Sequence, residues 1–198
     1  MNSGRRPRTL DPGFLLEAYR AGFFPMADPK SGEISWYSPD PRAILPLKTL
    51  HISGSLQTVI RRELFEVRIN TAFEQVINEC SRREETWISN DIKEVFLALH
   101  KAGFAHSVES WQSGELAGGL YGLAIGGAFF GESMFSLIPD SSKVALVSLV
   151  KQLKAKKFTL LDIQFMTSHL AGFGAIEIPR AVYMASLTKA LRSKTTFV

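Results

Sequence analysis

Apolar and polar positions along the chain change period several times, and each change marks a new element. The run PheLeuLeuGluAlaTyrArgAlaGlyPhePhePro at 14–25 has helical spacing and stops at Gly22 and Pro25, which predicts a short amphipathic helix. Pro29, Pro39, Pro41 and Pro46 then impose extended and turning chain. From about residue 52 the pattern is more regular, with a helix expected over 54–64, a strand over 65–70, and helices over 72–80 and 89–102. Three strand-like segments follow, at 105–111, 116–125 and 128–136, joined by turns containing Gly, which reads as an antiparallel meander. Asp140, Ser141 and Ser142 offer caps for a helix whose Val144, Val147, Val150 and Leu153 keep helical spacing, and LysAlaLysLys at 154–157 suits its C-terminal end. A strand at 158–165, a helix from about 167, a strand at 175–178 and a last helix at 179–192 complete the pattern.

Meander, crossover helix, strand, helix and strand describe an α+β protein with a mixed, mostly antiparallel sheet flanked by helices, in the order of a GNAT-type acyltransferase fold. The expected division is a small N-terminal domain with an aromatic and proline loop at 1–50, followed by a GNAT-like catalytic domain at 51–198.

Composition narrows the function only a little. With 198 residues, 45% of them apolar, the chain can bury a sizeable core. A formal charge of +4, a pI near 9.3 and the basic arm ArgArgProArg at 5–8 suggest a polyanionic partner, although a solvated basic surface would give the same numbers. A single cysteine, Cys80, excludes an internal disulfide framework and fits a reducing compartment. The N-terminus lacks the apolar stretch of a secretory signal, and no segment reaches the roughly 18 apolar residues of a spanning helix. A cytoplasmic protein without a membrane partner is expected.

Candidate chemistry sits in two apolar strand-like runs, GlyGluSerMetPheSer at 131–136 and LeuLeuAspIleGlnPhe at 160–165, where Glu132, Asp162 and Gln164 would be costly to bury without a task. Strand alternation puts Asp162 and Gln164 on one face, roughly 7 Å apart by strand rise. A carboxylate that accepts from the amide NH₂ would fix the amide and leave its carbonyl oxygen for a donor such as an attacking amine. A satisfied polar pair at a sheet rim is the competing reading. Around Glu132, strict alternation groups Phe130 and Met134 with the carboxylate. A bulge at Gly131 would change that parity and bring Phe129 to its side. Either way, apolar side chains flank a carboxylate, as an apolar pocket with an ammonium acceptor at its edge requires.

Trp36, Tyr37 and Arg42 form a second cluster, of the kind that holds an unstacked base and its phosphate, although such loops also pack against neighbouring domains. Lys143 is a further candidate for a phosphate. His51, His100, His106 and His169 lack metal-ligand spacing, so no metal is expected.

PheProMetAlaAsp (24–28), TrpTyrSerProAspProArg (36–42), AsnThrAlaPhe (70–73), ThrTrpIle (86–88), GlyPheAlaHisSerValGluSerTrp (103–111), GlyGlyLeuTyrGly (118–122), GlyGluSerMetPheSer (131–136), SerLys (142–143), AspIleGln (162–164) and GlyAlaIleGluIleProArg (174–180) together resemble the leucyl/phenylalanyl-tRNA–protein transferases. The resemblance runs in family order from about residue 10 to 190. It implies an enzyme without a cofactor that moves Leu or Phe, and less well Met, from aminoacyl-tRNA to the N-terminal Lys or Arg of a protein, marking that protein for degradation. It also implies that Gln164 draws the proton from the attacking amine, Asp162 orients Gln164, and Glu132 binds an amino group. Leu120, Phe129, Met134 and Ile163 would line the side-chain pocket, Trp36 would stack near the terminal adenosine, and Arg42 and Lys143 would meet the tRNA. PheMetThrSerHis at 165–169 lacks the Asn often seen in the family, and Gly172 stands where Ser is commoner. A monomer is expected.

An activated ester needs no nucleophile or metal from the protein, only positioning and modest general-base help. Two alternatives compete with this reading. An acyl-CoA-dependent GNAT acetyltransferase should carry an Arg/Gln-x-x-Gly-x-Gly/Ala turn where this chain has IleProAspSerSerLys. A non-enzymatic RNA-binding module would leave Glu132 and Asp162 unexplained beside a polyanion.

Overall fold

The computed structural model describes residues 10–82 and 86–198, so the basic arm at 5–8 lies outside the described residues. Helix α1 (Pro12–Arg20) is capped by Asp11, whose carboxylate accepts the Phe14 amide at 2.7 Å, and Pro12 occupies its first turn. It stops short of residue 25 because Gly22, at φ +84°, turns the chain out of the helix. Phe24–Ala27 (β1) and Ile34–Tyr37 (β2) then form an antiparallel hairpin with Phe24 opposite Tyr37. Neither this hairpin nor Arg42–Ile44 (β3) stands out in the sequence pattern, since Pro25 interrupts the first and Pro41 and Pro46 close in on the second.

The remaining elements follow the expected order: α2 (Gly54–Arg61), β4 (Glu66–Ile69), α3 (Phe73–Ser81), α4 (Asn90–Lys101), the meander β5 (Ala105–Gln112), β6 (Glu115–Ile125) and β7 (Ala128–Ser136), the crossover helix α5 (Ser141–Ala155), β8 (Leu160–Gln164), α6 (Ser168–Ala171), β9 (Ile176–Ile178) and α7 (Arg180–Leu191). Seven strands form one mixed sheet in the order β4-β5-β6-β7-β8-β3-β9, antiparallel throughout except for the β7–β8 pair. The chain therefore enters the main sheet at Arg42, ahead of the division expected near residue 50, and a two-stranded hairpin precedes it.

Helices cover both faces. On one face Leu15 and Tyr19 of α1, Val76 and Ile77 of α3, Phe96 of α4 and Leu187 of α7 pack with Tyr121 and Phe130. On the other, Leu146, Val150 and Leu153 of α5 and Leu56 of α2 pack with Val108, Leu120 and Phe129. Asp140 does not cap α5; its carboxylate pairs with Lys143 at 2.7 Å, and the Ser136 hydroxyl accepts the Ser142 amide at 3.1 Å instead. Each buried Val or Leu on α5 contributes about 1.5–3 kcal/mol, more than the roughly 1 kcal/mol of a missing cap. The chain's tail completes this second layer. Phe197 lies 4.6 Å from the His106 ring, 5.2 Å from Phe129 and 6.2 Å from Phe158, and Gln152 Nε2 donates to its carbonyl at 2.6 Å.

Two departures from regular sheet create the site. Between β6 and β7 the register jumps, Tyr121 facing Ser133 and Gly122 facing Gly131, which leaves Glu132 as the extra residue of a bulge. Gly122 permits it, because a Cβ there would stand 2.3 Å from the Phe130 carbonyl oxygen. Beyond the bulge the alternation switches, so Phe129 and Met134 serve one core layer while Phe130 and Phe135 serve the other. The second departure lies between the parallel strands β7 and β8, whose ladder runs from Ala128–Leu160 only to Phe130–Asp162. No helix among the described residues is long and apolar enough to cross a membrane.

Candidate active site

Where the β7–β8 ladder stops, a cavity of about 880 Å³ opens in the sheet, lined from both layers. Leu120, Met134, Leu146, Leu149, Leu161 and Ile163 give it an apolar wall, Trp87 and Phe165 add aromatic rings, and Glu132 and Gln164 supply polar groups. His169 and Thr167 also line it.

Glu132 and Gln164 meet directly. Gln164 Nε2 donates to Glu132 Oε1 at 3.0 Å, and the Tyr19 hydroxyl donates to the same oxygen at 2.7 Å. Glu132 Oε2 is buried and has no hydrogen-bond partner among the described residues. Burial pushes the Glu132 carboxyl up to about 8; the bond from Tyr19 opposes this, the nearby Asp162 charge adds to it, and Arg42 and Gln164 oppose it. Burial and the adjacent Glu132 likewise raise the Tyr19 hydroxyl, so it stays a donor.

Asp162 holds a different position from the one expected. It is fully buried, and its oxygens are taken by others: Arg42 Nε at 3.0 Å and the Gln164 backbone amide at 2.9 Å on Oδ1, Arg42 Nη2 and the Tyr183 hydroxyl, both at 2.7 Å, on Oδ2. It therefore grips the backbone of Gln164, not its side-chain amide. Gln164 stands at φ +65°, a left-handed conformation costly for a residue with a side chain, and the bond from its amide to Asp162 helps to hold it there. This turn breaks the strand alternation on which a side-chain pairing of Asp162 with Gln164 depends. Glu132 orients the amide instead.

The other expected residues divide. Leu120, Met134 and Ile163 line the cavity with Glu132 and Gln164. Phe129 does not; the bulge sends it into the second core layer against Phe197. Trp36 is half-buried, edge-on to Phe14 at 5.3 Å, and stands off the cavity because alternation in β2 turns it toward α1. Arg42 is corrected as a phosphate contact: it is 1% exposed, and its guanidinium is spent on Asp162 and on the Gly22 carbonyl at 3.2 Å. Lys143 is part-exposed and paired with Asp140, and its charge, after burial, helps to lower the His169 pKa. Tyr19, Trp87 and Tyr183 escape the sequence reading as site residues. Trp87 had a signal in ThrTrpIle, whereas Tyr19 and Tyr183 sit among ordinary helical apolar positions.

Comparison with known proteins identifies the family. A family model described as leucyl/phenylalanyl-tRNA protein transferase matches residues 44–188, and one described as the N-terminal domain of that transferase matches residues 8–40. The leucyl/phenylalanyl-tRNA–protein transferase of Herpetosiphon aurantiacus is 54% identical over 191 residues, 96% of this chain and 99% of its own. That of Chlorobaculum tepidum is 55% identical over 93% of this chain and 97% of its own. Among solved structures, L-PGS from Bacillus licheniformis aligns with 80% of this chain and 55% of its own at TM-score 0.44 and 16% identity, too low a likeness to define the fold. With both family models matched in sequence order and relatives aligned nearly end to end, the chain belongs to the leucyl/phenylalanyl-tRNA–protein transferases, enzymes that transfer an aminoacyl group from tRNA to a protein.

Proposed function

We propose that the cavity takes the Leu or Phe side chain of a charged tRNA, and that the acceptor is the α-amine of an N-terminal Lys or Arg. The observation that carries this is Glu132 Oε2, a buried carboxyl oxygen with no hydrogen-bond partner among the described residues, on a residue that lines a largely apolar cavity. The positive charge of an ammonium arriving there would counter the burial that raises the Glu132 pKa, so that the carboxyl gives its proton to solvent and pairs as a carboxylate. Glu132 thus serves as the amino-group receptor, and Leu120, Met134 and Ile163 serve as the wall that selects an apolar side chain. Discrimination among similar apolar groups is worth only about 1–3 kcal/mol, so some transfer of Met follows.

With its NH₂ engaged by Glu132, Gln164 presents its carbonyl oxygen to the incoming amine. The amine nitrogen bonds to the ester carbon, the bond from that carbon to the ribose oxygen breaks, and the amine proton ends on the departing ribose hydroxyl. Gln164 holds the amine N–H during attack, and Asp162 with Arg42 and Tyr183 holds Gln164. The element order supports a GNAT-like catalytic domain that the chain enters at Arg42. The enzyme is read as a cytoplasmic monomer that needs no cofactor.

The test follows radiolabelled leucyl- or phenylalanyl-tRNA with peptides beginning Lys, Arg, Ala or Asp. Label should enter the first two peptides only, and Gln164→Ala should reduce it at least tenfold with the fold intact. Equal labelling of all four peptides would overturn the acceptor assignment, and no transfer by folded protein would overturn the whole reading.

A further inference from the structure

Two exposed aromatic rings lead away from the cavity mouth and have no task in the chemistry above. Phe165 lines the cavity yet is 44% exposed, and it meets the buried Phe24 edge-on with centroids 5.6 Å apart. Phe24 in turn stacks on Tyr37, 6.1 Å between centroids, and Tyr37 is 41% exposed. The β1–β2 pairing fixes this order, and the Arg42 guanidinium, 4.6 Å from the Phe24 centroid, ties the row to the Asp162 anchor. Beside Tyr37, the Ser38 carbonyl accepts from Arg180 Nη1 at 3.2 Å. Arg180 is exposed, and its guanidinium forms no ion pair among the described residues. The nearby Asp40 carboxylate accepts the Arg180 backbone amide at 3.0 Å, at the N-terminal end of α7.

A charged tRNA ends in unpaired nucleotides, of which the last bears the ester. With the ester in the cavity, the preceding nucleotides must cross the surface outward from the mouth. Unpaired bases are held by π faces and their phosphates by cations, which is the sequence of groups met here. An acceptor that begins with Lys or Arg would be repelled by Arg180. We infer that Tyr37 is the stacking platform for the nucleotide that precedes the terminal adenosine, with Arg180 on its phosphate. This subsite rests on the reading of the cavity as the ester site.

KM is to be measured for full-length phenylalanyl-tRNA and for 3′-O-phenylalanyl-adenosine, which lacks the preceding nucleotide. Tyr37→Ala should raise KM for the tRNA about tenfold and leave that for the nucleoside within about twofold, and Tyr37→Phe should behave as the unaltered enzyme. Arg180→Gln should lower the salt slope of tRNA binding by about one. An unchanged tRNA KM in Tyr37→Ala, an equal rise for both substrates, or a rise confined to the acceptor peptide overturns the platform, and an unchanged salt slope overturns the phosphate contact. No turnover of the nucleoside by the unaltered enzyme overturns the ester site itself, and the platform with it.

Discussion

Glu109 and Glu132 lie on neighbouring parts of the same meander, both buried, yet they are built for opposite ends. Glu109 Oε1 accepts the amides of Thr71 and Ala72, each at 2.9 Å, and the Ser107 hydroxyl at 2.7 Å, while Oε2 accepts the Trp111 indole at 3.2 Å and the Thr71 hydroxyl. It holds the turn from β4 that leads into α3, a helix with no side-chain cap of its own. Burial opposes its charge, but the hydrogen bonds win and its pKa is lowered. Glu132 has both its donors on one oxygen, burial wins, and its pKa climbs to about 8. Saturation of the carboxylate, not burial, separates the structural acid from the one that faces the cavity.

The contrast can be broken in several ways. The largest effect is expected from Arg42→Met, which strands the third buried acid, Asp162, without its charged partner: urea denaturation should show a loss of about 3–5 kcal/mol. A loss below 1 kcal/mol would mean that the pair is not what holds this region. Glu132→Gln should lower kcat/KM about 100-fold, equivalent to about 2.7 kcal/mol, with a melting temperature no lower than before. Glu109→Gln should do the reverse, costing about 2 kcal/mol of stability while the folded fraction keeps its kcat. If the two variants gave the same pattern, the distinction between the acids would fail.

pH sharpens the same comparison. The raised pKa of Glu132 gives stability that is whole below its ordinary value of 4.5 and is lost as pH rises through about 8. The lowered pKa of Glu109 gives stability present above 4.5 and lost as pH falls through its depressed value. Urea midpoints from acid to mildly alkaline pH should therefore lose their falling neutral limb in Glu132→Gln and their acid limb in Glu109→Gln. Profiles unchanged from the parent would refute both assignments. The smallest effect belongs to Tyr19→Phe, which removes one bond to Glu132: about 1 kcal/mol of stability and a Glu132 pKa moved further up, read by NMR titration of the carboxyl.

Most of the catalytic sheet was legible because its signals are local. Turn glycines bound the meander, and Val144, Val147, Val150 and Leu153 repeat at helical spacing through α5. The hairpin β1–β2 was not, because it is short and carries Pro25, and neither was strand β3, because Arg42–Ile44 finds its partners far along the chain in β8 and β9. In the site, Glu132 and Gln164 could be named because polar residues in apolar strands are costly, and Met134 because it stands two positions from Glu132, whereas Leu120 and Ile163 rested on the family resemblance alone. Phe129 could not be placed, because its side depends on which residue of β7 bulges. Nor could the partner of Asp162 be read, since φ +65° at Gln164 is a backbone property that no residue type announces. Arg42 looked like a surface cation only because nothing in its neighbours in sequence betrays an acid 120 positions away.

Phe197 sets a timetable for biosynthesis. Its ring fills the space among His106, Phe129 and Phe158, and the void left without it would cost about 3–5 kcal/mol. Until the ribosome has added residue 197, that layer is a wall with its keystone missing, and a nascent chain stalled short of it would be more open to proteases than one that carries it.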